Sequence, residues 1–157
     1  MRRFRRRYKK PKTPLDLRRI KEERKIINEY GLKRKKEIWI VESILRRFRE
    51  RARELIAEKD KEKEKNLIEK LQKLGLLGKE SALDDILALS VNDVLNRRLQ
   101  TIAFKKGFGK TIKQARQLIT HGHIAVDGRR IKFPGYLVPA KYENKISWYE
   151  TSKMKGE

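Results

Sequence analysis

The chain has 157 residues, 41% charged and 38% hydrophobic, and its 43 Lys and Arg against 21 Asp and Glu leave a formal net charge of +22. That excess makes a polyanion the expected partner, nucleic acid ahead of an anionic membrane surface. No apolar run approaches the ~20 residues of a membrane span, and with no cysteine there is neither a disulfide nor a thiolate zinc site.

A reducing, cytosolic location fits this composition. Abundant Glu and Lys with scarce Asn and Gln hint at a heat-adapted source. The first segment, MRRFRRRYKKPK, holds eight basic residues and no acid. No apolar segment follows it, so it does not read as a secretory signal. Alone it cannot bury enough apolar surface to fold. It reads as a basic arm over 1–12 that orders on phosphates through Arg2, Arg3, Arg5, Arg6, Arg7, Lys9 and Lys10, or else as a solubilising tail.

Thr13-Pro14 opens a first helix, with Thr13 at the N-cap, Asp16 as the capping-box acid and Gly31 as the left-handed stop. Leu17, Ile20, Ile27 and Tyr30 recur on its apolar side. A longer helix spans about 33–58, with Ile38, Val41, Leu45, Phe48, Ala52 and Leu55 on one face. Arg46, Arg49 and Arg53 lie beside that face, among Glu42, Glu50 and Glu54, and read either as a phosphate-facing patch or as a solvated flank. Residues 59–74 are charge-balanced and mainly structural. Residues 76–89 read as a connector with one helical turn.

Ser90 and Asp93 form a capping pair for a single helix reaching 105 or 106. Arg97, Thr101 and Lys105 then stand at i, i+4 and i+8, with Arg98 at their edge and Lys106 at the helix end, as a continuous basic flank. Thr111 and Gln114 cap a second helix to about 120. Ile112, Ala115, Leu118 and Ile119 fall on its inner side, and Lys113, Arg116, Gln117 and Thr120 on its outer side. The loop 107–110, ending in Lys110, leads into that helix N-terminus and favours phosphate. Gly122 stops the helix, Ile124 and Val126 alternate around Ala125, and Asp127-Gly128 signals a two-residue hairpin. Ile131 begins the return strand, 136–138 is extended, and 145–149 (KISWY) is a last strand.

Enzyme chemistry finds no constellation here. FKKGFGKT lacks P-loop spacing and no strand precedes it. The two histidines, His121 and His123, flank one glycine at a helix end, where they suit capping or RNA contact better than metal binding or catalysis.

The stretch QARQLITHGHIAVDG resembles the core of the S-four RNA-binding domain, whose pattern runs R-x-L-I-x-x-G-x-I-x-V-[ND]-G. Here it is carried by Arg116, Leu118, Ile119, Gly122, Ile124, Val126, Asp127 and Gly128, within a match over roughly 95–149 that includes Thr111. That domain also occurs in pseudouridine synthases, a tyrosyl-tRNA synthetase and a heat-shock ribosome-binding protein. The remainder decides among them. TPLDLRRIKEERKIINEYGLKRKKEIW, ESILRRFRERAREL and RRLQTIAFKKG are similar to the archaeal branch of the small-subunit ribosomal protein S-four family over nearly the whole chain.

This resemblance implies an α+β fold: a basic arm (1–12), a helical rRNA-binding domain (13–89), an alpha-L/S-four-like domain of two short helices and a small antiparallel sheet (90–150), and a polar tail (151–157). It implies direct, early binding at a multi-helix junction of small-subunit rRNA, nucleation of assembly of the body, a contribution to translational accuracy, and contact with ribosomal protein S-five. Family members bind RNA with both domains, which favours the RNA-facing reading of Arg46, Arg49 and Arg53. No cofactor, metal, membrane contact or homo-oligomer is expected, and the expected location is the cytoplasmic small subunit. The alternative with the same fold is a ribosome-biogenesis factor that binds precursor rRNA and leaves.

Overall fold

The computed structural model describes residues 8–150 and 152. Among the described residues, seven α-helices precede or enclose a three-stranded antiparallel sheet, so the fold is α+β as expected. Among the described residues, no helix is long and apolar enough to cross a membrane.

Helix α1 covers Leu17–Glu29, and its N-cap is Asp16, whose carboxylate accepts from the Arg18 and Arg19 amides. Thr13 does not cap it. The Thr13 and Pro14 carbonyls instead accept from the Arg19 guanidinium at 2.8 and 2.9 Å, which folds the preceding segment against the first turn. Leu17, placed on the apolar side by its spacing, is 72% exposed because it opens the helix where nothing packs over it. Helix α2, Lys36–Glu58, buries Ile38, Val41, Leu45, Ala52 and Leu55, and Lys59 closes it in the left-handed region at φ 56°. Helix α3, Lys61–Lys73, is capped by Asp60 and buries Leu71 against α2. The connector contains a short helix, α4 (Leu83–Ala88), because Asp85 accepts from the Ala82 amide at 2.9 Å and Leu83 and Ile86 find the core.

The helix expected from Ser90 to Lys105 is two helices. The Ser90–Asp93 pair does cap α5, Val91–Asn96. The chain then extends at Arg98 (φ −73°, ψ 143°) before α6, Leu99–Lys105. A distant segment takes over the hydrogen bonds that would have continued the helix. The Leu99 amide donates to Tyr136 O at 2.8 Å, Gln100 to Pro134 O, and Val138 to Arg97 O. The Leu95 carbonyl, which no longer receives the Leu99 amide, accepts from the Arg98 amide and from the buried Thr101 hydroxyl, the latter at 2.8 Å. Propensity favours one helix, and the 134–138 segment overrides it.

Helix α7, Ile112–His121, is capped by Thr111 and ends at Gly122, whose φ is 79°. Asp127 (φ 53°) and Gly128 (φ 75°) make the two-residue turn that joins β1 (Ile124–Val126) to β2 (Arg129–Arg130). Both central residues with positive φ match the twist of a tight hairpin. The return strand is thus Arg129–Arg130, beginning two residues earlier than Ile131. Strand β3 (Ile146–Trp148) pairs on the other side of β1, after a 3-10 helix at Ala140–Lys145, giving the order β2-β1-β3.

Two apolar clusters result. One joins α2, α3, α4 and α5 through Ile38, Leu45, Leu55, Leu71, Ile86 and Leu95. The other joins α6, α7 and the sheet through Leu99, Leu118, Ile119, Ile124 and Ile146.

Candidate nucleic-acid interface

The candidate cations divide into those that point inward and those that do not. Arg97 sits on the bend between α5 and α6 and binds three elements at once. It donates to Leu74 O at 3.1 Å, to Val138 O at 3.0 Å, and to Glu143 at 2.6 Å. Gly75, at φ 69°, passes so close that a Cβ there would lie 2.8 Å from the Arg97 guanidinium carbon. Arg49 is half-buried and donates to Leu89 O. The expected flank of Arg97, Thr101 and Lys105 therefore does not exist as a surface: the bend turns Arg97 inward and buries Thr101.

Arg98 and Arg116 meet across the two clusters. Glu37, in the first turn of α2, accepts from Arg98 Nη2 at 2.5 Å on Oε2 and from Arg116 Nη2 at 3.0 Å on Oε1, with Arg116 Nη1 also at 3.1 Å. The three side chains are 16%, 6% and 21% exposed, so this is a largely desolvated triad. Burial alone would raise the Glu37 pKa, but the hydrogen bonds and charges of Arg116 and Arg98 outweigh it and hold the carboxyl at about 2. Buried Gln100 completes the arrangement. Its Oε1 accepts from Arg116, and its Nε2 faces the carbonyls of Tyr30, Gly31 and Ile112. The expectation that Arg116 lies on the outer face of its helix is thereby corrected, because a carboxylate 79 residues away draws it in.

The outward set is different. Arg46 and Arg53 are exposed on α2 and border a shallow groove with Arg49, Glu42 and Val91. Lys105, Lys106, Lys110, Lys113, Gln117 and His121 are exposed along the end of α6, the connecting loop and α7. Among the described residues, Arg46, Arg53, Lys106, Lys110 and Lys113 have no ion pair within 4.0 Å, so their charge is available. Lys105 makes only a 3.3 Å hydrogen bond to Asn96.

The loop into α7 is tightly built. A Cβ on Gly109 would lie 2.9 Å from the Ala115 nitrogen, so the loop backbone presses on the helix at that point. A loop amide and a first-turn amide of α7 already have acceptors: Lys110 N donates to Gln114 Oε1 at 2.8 Å, and Gln114 N to Thr111 Oγ1. The phosphate attraction of this turn therefore rests more on Lys110 and Lys113 than on free backbone N–H groups.

His121 and His123 stack with centroids 6.3 Å apart, and with Gln114, Gln117 and Leu118 they line a second groove. His123 Nδ1 pairs with Ser152 Oγ at 3.1 Å. The carbonyl of His121 is satisfied by Arg130 Nη2 at 3.0 Å, so an arginine from β2 rather than a histidine caps this end of α7. Among the described residues, no group of three or more His, Cys, Asp or Glu is placed to hold a metal.

In the arm, Lys9 N donates to Ser43 Oγ at 3.3 Å, while Tyr8 packs on Trp39 with Lys36 above its ring. Lys9 and Lys10 are exposed. Arg2, Arg3, Arg5, Arg6 and Arg7 lie outside the described residues. Sequence reasoning passed over Glu37, whose partners are visible only in three dimensions. It also passed over Arg129, Arg130 and Lys132, all exposed after the hairpin turn. The Arg-Arg pair of a two-residue edge strand was the available signal, since an edge has no second neighbour to bury it.

Comparison with known proteins agrees with this architecture. The S4 domain family matches residues 97–143, which span α6, α7, the hairpin and most of the 3-10 helix. The small ribosomal subunit protein uS4 of Saccharolobus solfataricus is 51% identical over 156 residues, covering 97% of this chain and 86% of that protein. The uS4 proteins of Ignicoccus hospitalis and Methanospirillum hungatei are 48% and 45% identical, each over 94% of this chain and over 91% and 86% of their own lengths. With similarity at this level over nearly its full length, and with an S4 domain matched over residues 97–143, the chain belongs to the small ribosomal subunit protein uS4 family, in its archaeal form.

Proposed function

We propose that this chain is a structural, non-catalytic component of the small ribosomal subunit that binds the subunit's rRNA directly. The observation that carries the reading is the sorting of its cations. Arg97, Arg98 and Arg116 are tied into internal ion pairs, whereas Lys106, Lys110 and Lys113 along the end of α6, the connecting loop and α7, and Arg46 and Arg53 on α2, remain exposed. Two patches held on one scaffold suit phosphates that a folded RNA presents at a fixed spacing, and recognition of that kind reads shape rather than base edges. The finer reading follows the family. The target is a multi-helix junction, binding is early and nucleates the body of the particle, ribosomal protein S-five is a neighbour, and the position bears on translational accuracy.

The test is the salt dependence of binding to protein-free small-subunit rRNA. Neutralising six to ten phosphates predicts a loss of roughly 10³–10⁵-fold in affinity between about 50 and 200 mM salt. A flat response would overturn the phosphate mechanism. Stoichiometric retention in mature, salt-washed subunits is expected of a resident component. Release before maturation would assign the chain to biogenesis instead.

A further inference from the structure

A groove between α2 and the segment after β2 is lined by Ile40 and Ile44 on one side and by Phe133, Pro134 and Tyr136 on the other, with the Glu37–Arg98–Arg116 triad within its lining. Phe133 is 76% exposed and Tyr136 36% exposed, although the backbone that carries them is fixed by hydrogen bonds from Leu99 and Gln100 to Tyr136 O and Pro134 O. An aromatic ring facing solvent from a hydrogen-bonded backbone is a cost to the free protein unless something covers it. Arg98, 5% exposed, also keeps one buried nitrogen, Nη1, with no hydrogen-bond partner among the described residues.

From this juxtaposition we propose that the groove receives an unpaired nucleobase of the bound rRNA, stacked on Phe133 with Tyr136 beside it. The inference rests on the rRNA-binding reading above. Charge favours a base over an apolar segment of a neighbouring protein: exposed Arg129 and Lys132 stand in the stretch that leads into Phe133 and supply cations for the flanking phosphates, while Ile40 and Ile44 give the ring an apolar floor. Aromatic faces set among cations are how proteins hold splayed bases of folded RNA.

The experiment measures binding of the full chain to protein-free small-subunit rRNA across a salt series, for wild type, Phe133→Ala, Phe133→Leu and Phe133→Trp. Stacking predicts a loss of roughly 5- to 100-fold for Ala and for Leu, and retention for Trp. The salt slope should match wild type, because no phosphate contact is removed. Thermal melts of all four should coincide, since the ring is largely exposed. Wild-type affinity for Phe133→Leu would overturn stacking. So would unchanged binding of every variant to bare rRNA with loss only in assembled subunits, which would give the groove to a protein neighbour. If wild type itself fails to bind the rRNA, the parent reading falls as well, and that result is separate from an effect at Phe133 alone.

Discussion

Glu37→Gln removes the one carboxylate shared by two arginines of the S4 unit. The Glu37 side chain is 16% exposed and Arg98 6% exposed, so the exchange leaves two guanidinium charges in a poorly hydrated seam without a counter-charge. The depressed Glu37 pKa gives the size. A fall from the ordinary 4.5 to about 2, at ~1.4 kcal/mol per unit, corresponds to ~3 kcal/mol favouring the ionised form in the folded state. Breaking a buried pair by removing one partner falls in the same range, ~3–5 kcal/mol. For a chain of this size the melting temperature should drop by roughly 6–12 °C. The sign with pH follows from the direction of the shift. A carboxyl whose folded pKa is lowered contributes its full stability above about pH 4.5 and loses it as pH falls toward about 2. The difference between wild type and Glu37→Gln in urea unfolding should therefore be flat near neutrality and shrink between those two values. A variant that unfolds within ~1 kcal/mol of wild type at pH 7, or a difference that stays constant down to pH 2.5, would refute the idea that this triad holds the two clusters together.

Arg116→Ala should also lower stability, by ~2 kcal/mol or more, since it strips Glu37 and Gln100 of a partner. Urea melts check this. Leu118→Ala, at a position 5% exposed in the second core, should cost ~2–5 kcal/mol. Lys110→Ala with Lys113→Ala should leave the melt unchanged and weaken rRNA binding across sequences, reducing the salt slope by about two; titration at several salt concentrations reads both. Gly122→Ala places a Cβ against the Arg130 guanidinium at φ 79°, and should cost more than ~1 kcal/mol because both the backbone and the α7 end-cap are disturbed.

Much of the S4 unit is legible from short spacings. Asp127-Gly128 forms the turn, Thr111 and Gly122 bound α7, Ser90 and Asp93 cap α5, and Ala115, Leu118 and Ile119 face the core. The domain resemblance rests in part on these residues (Thr111, Leu118, Ile119, Gly122, Asp127 and Gly128), the family resemblance on longer segments upstream, and relatives at about half identity bear the family out. These features are local: a cap, a turn or an amphipathic face is decided by residues within four positions of one another.

What tertiary structure alone decided concerns the arginines. Periodicity placed Arg97 and Arg116 on polar faces and treated them as equivalent to Lys105 and Lys113. The fold breaks the helix at Arg98 because segment 134–138 supplies its hydrogen-bond partners, and it draws Arg98 and Arg116 onto Glu37 from 61 and 79 residues away. A guanidinium reads the same in sequence whether it meets a phosphate or a buried carboxylate. The lysines stayed outside because a strongly hydrated ammonium makes a poor buried partner, whereas the planar, weakly hydrated guanidinium makes a good one. The sequence by itself thus determined the charge, most of the local elements and the family, and the packing of the two clusters decided where the helix after Ser90 breaks and which of those charges remain free to meet RNA.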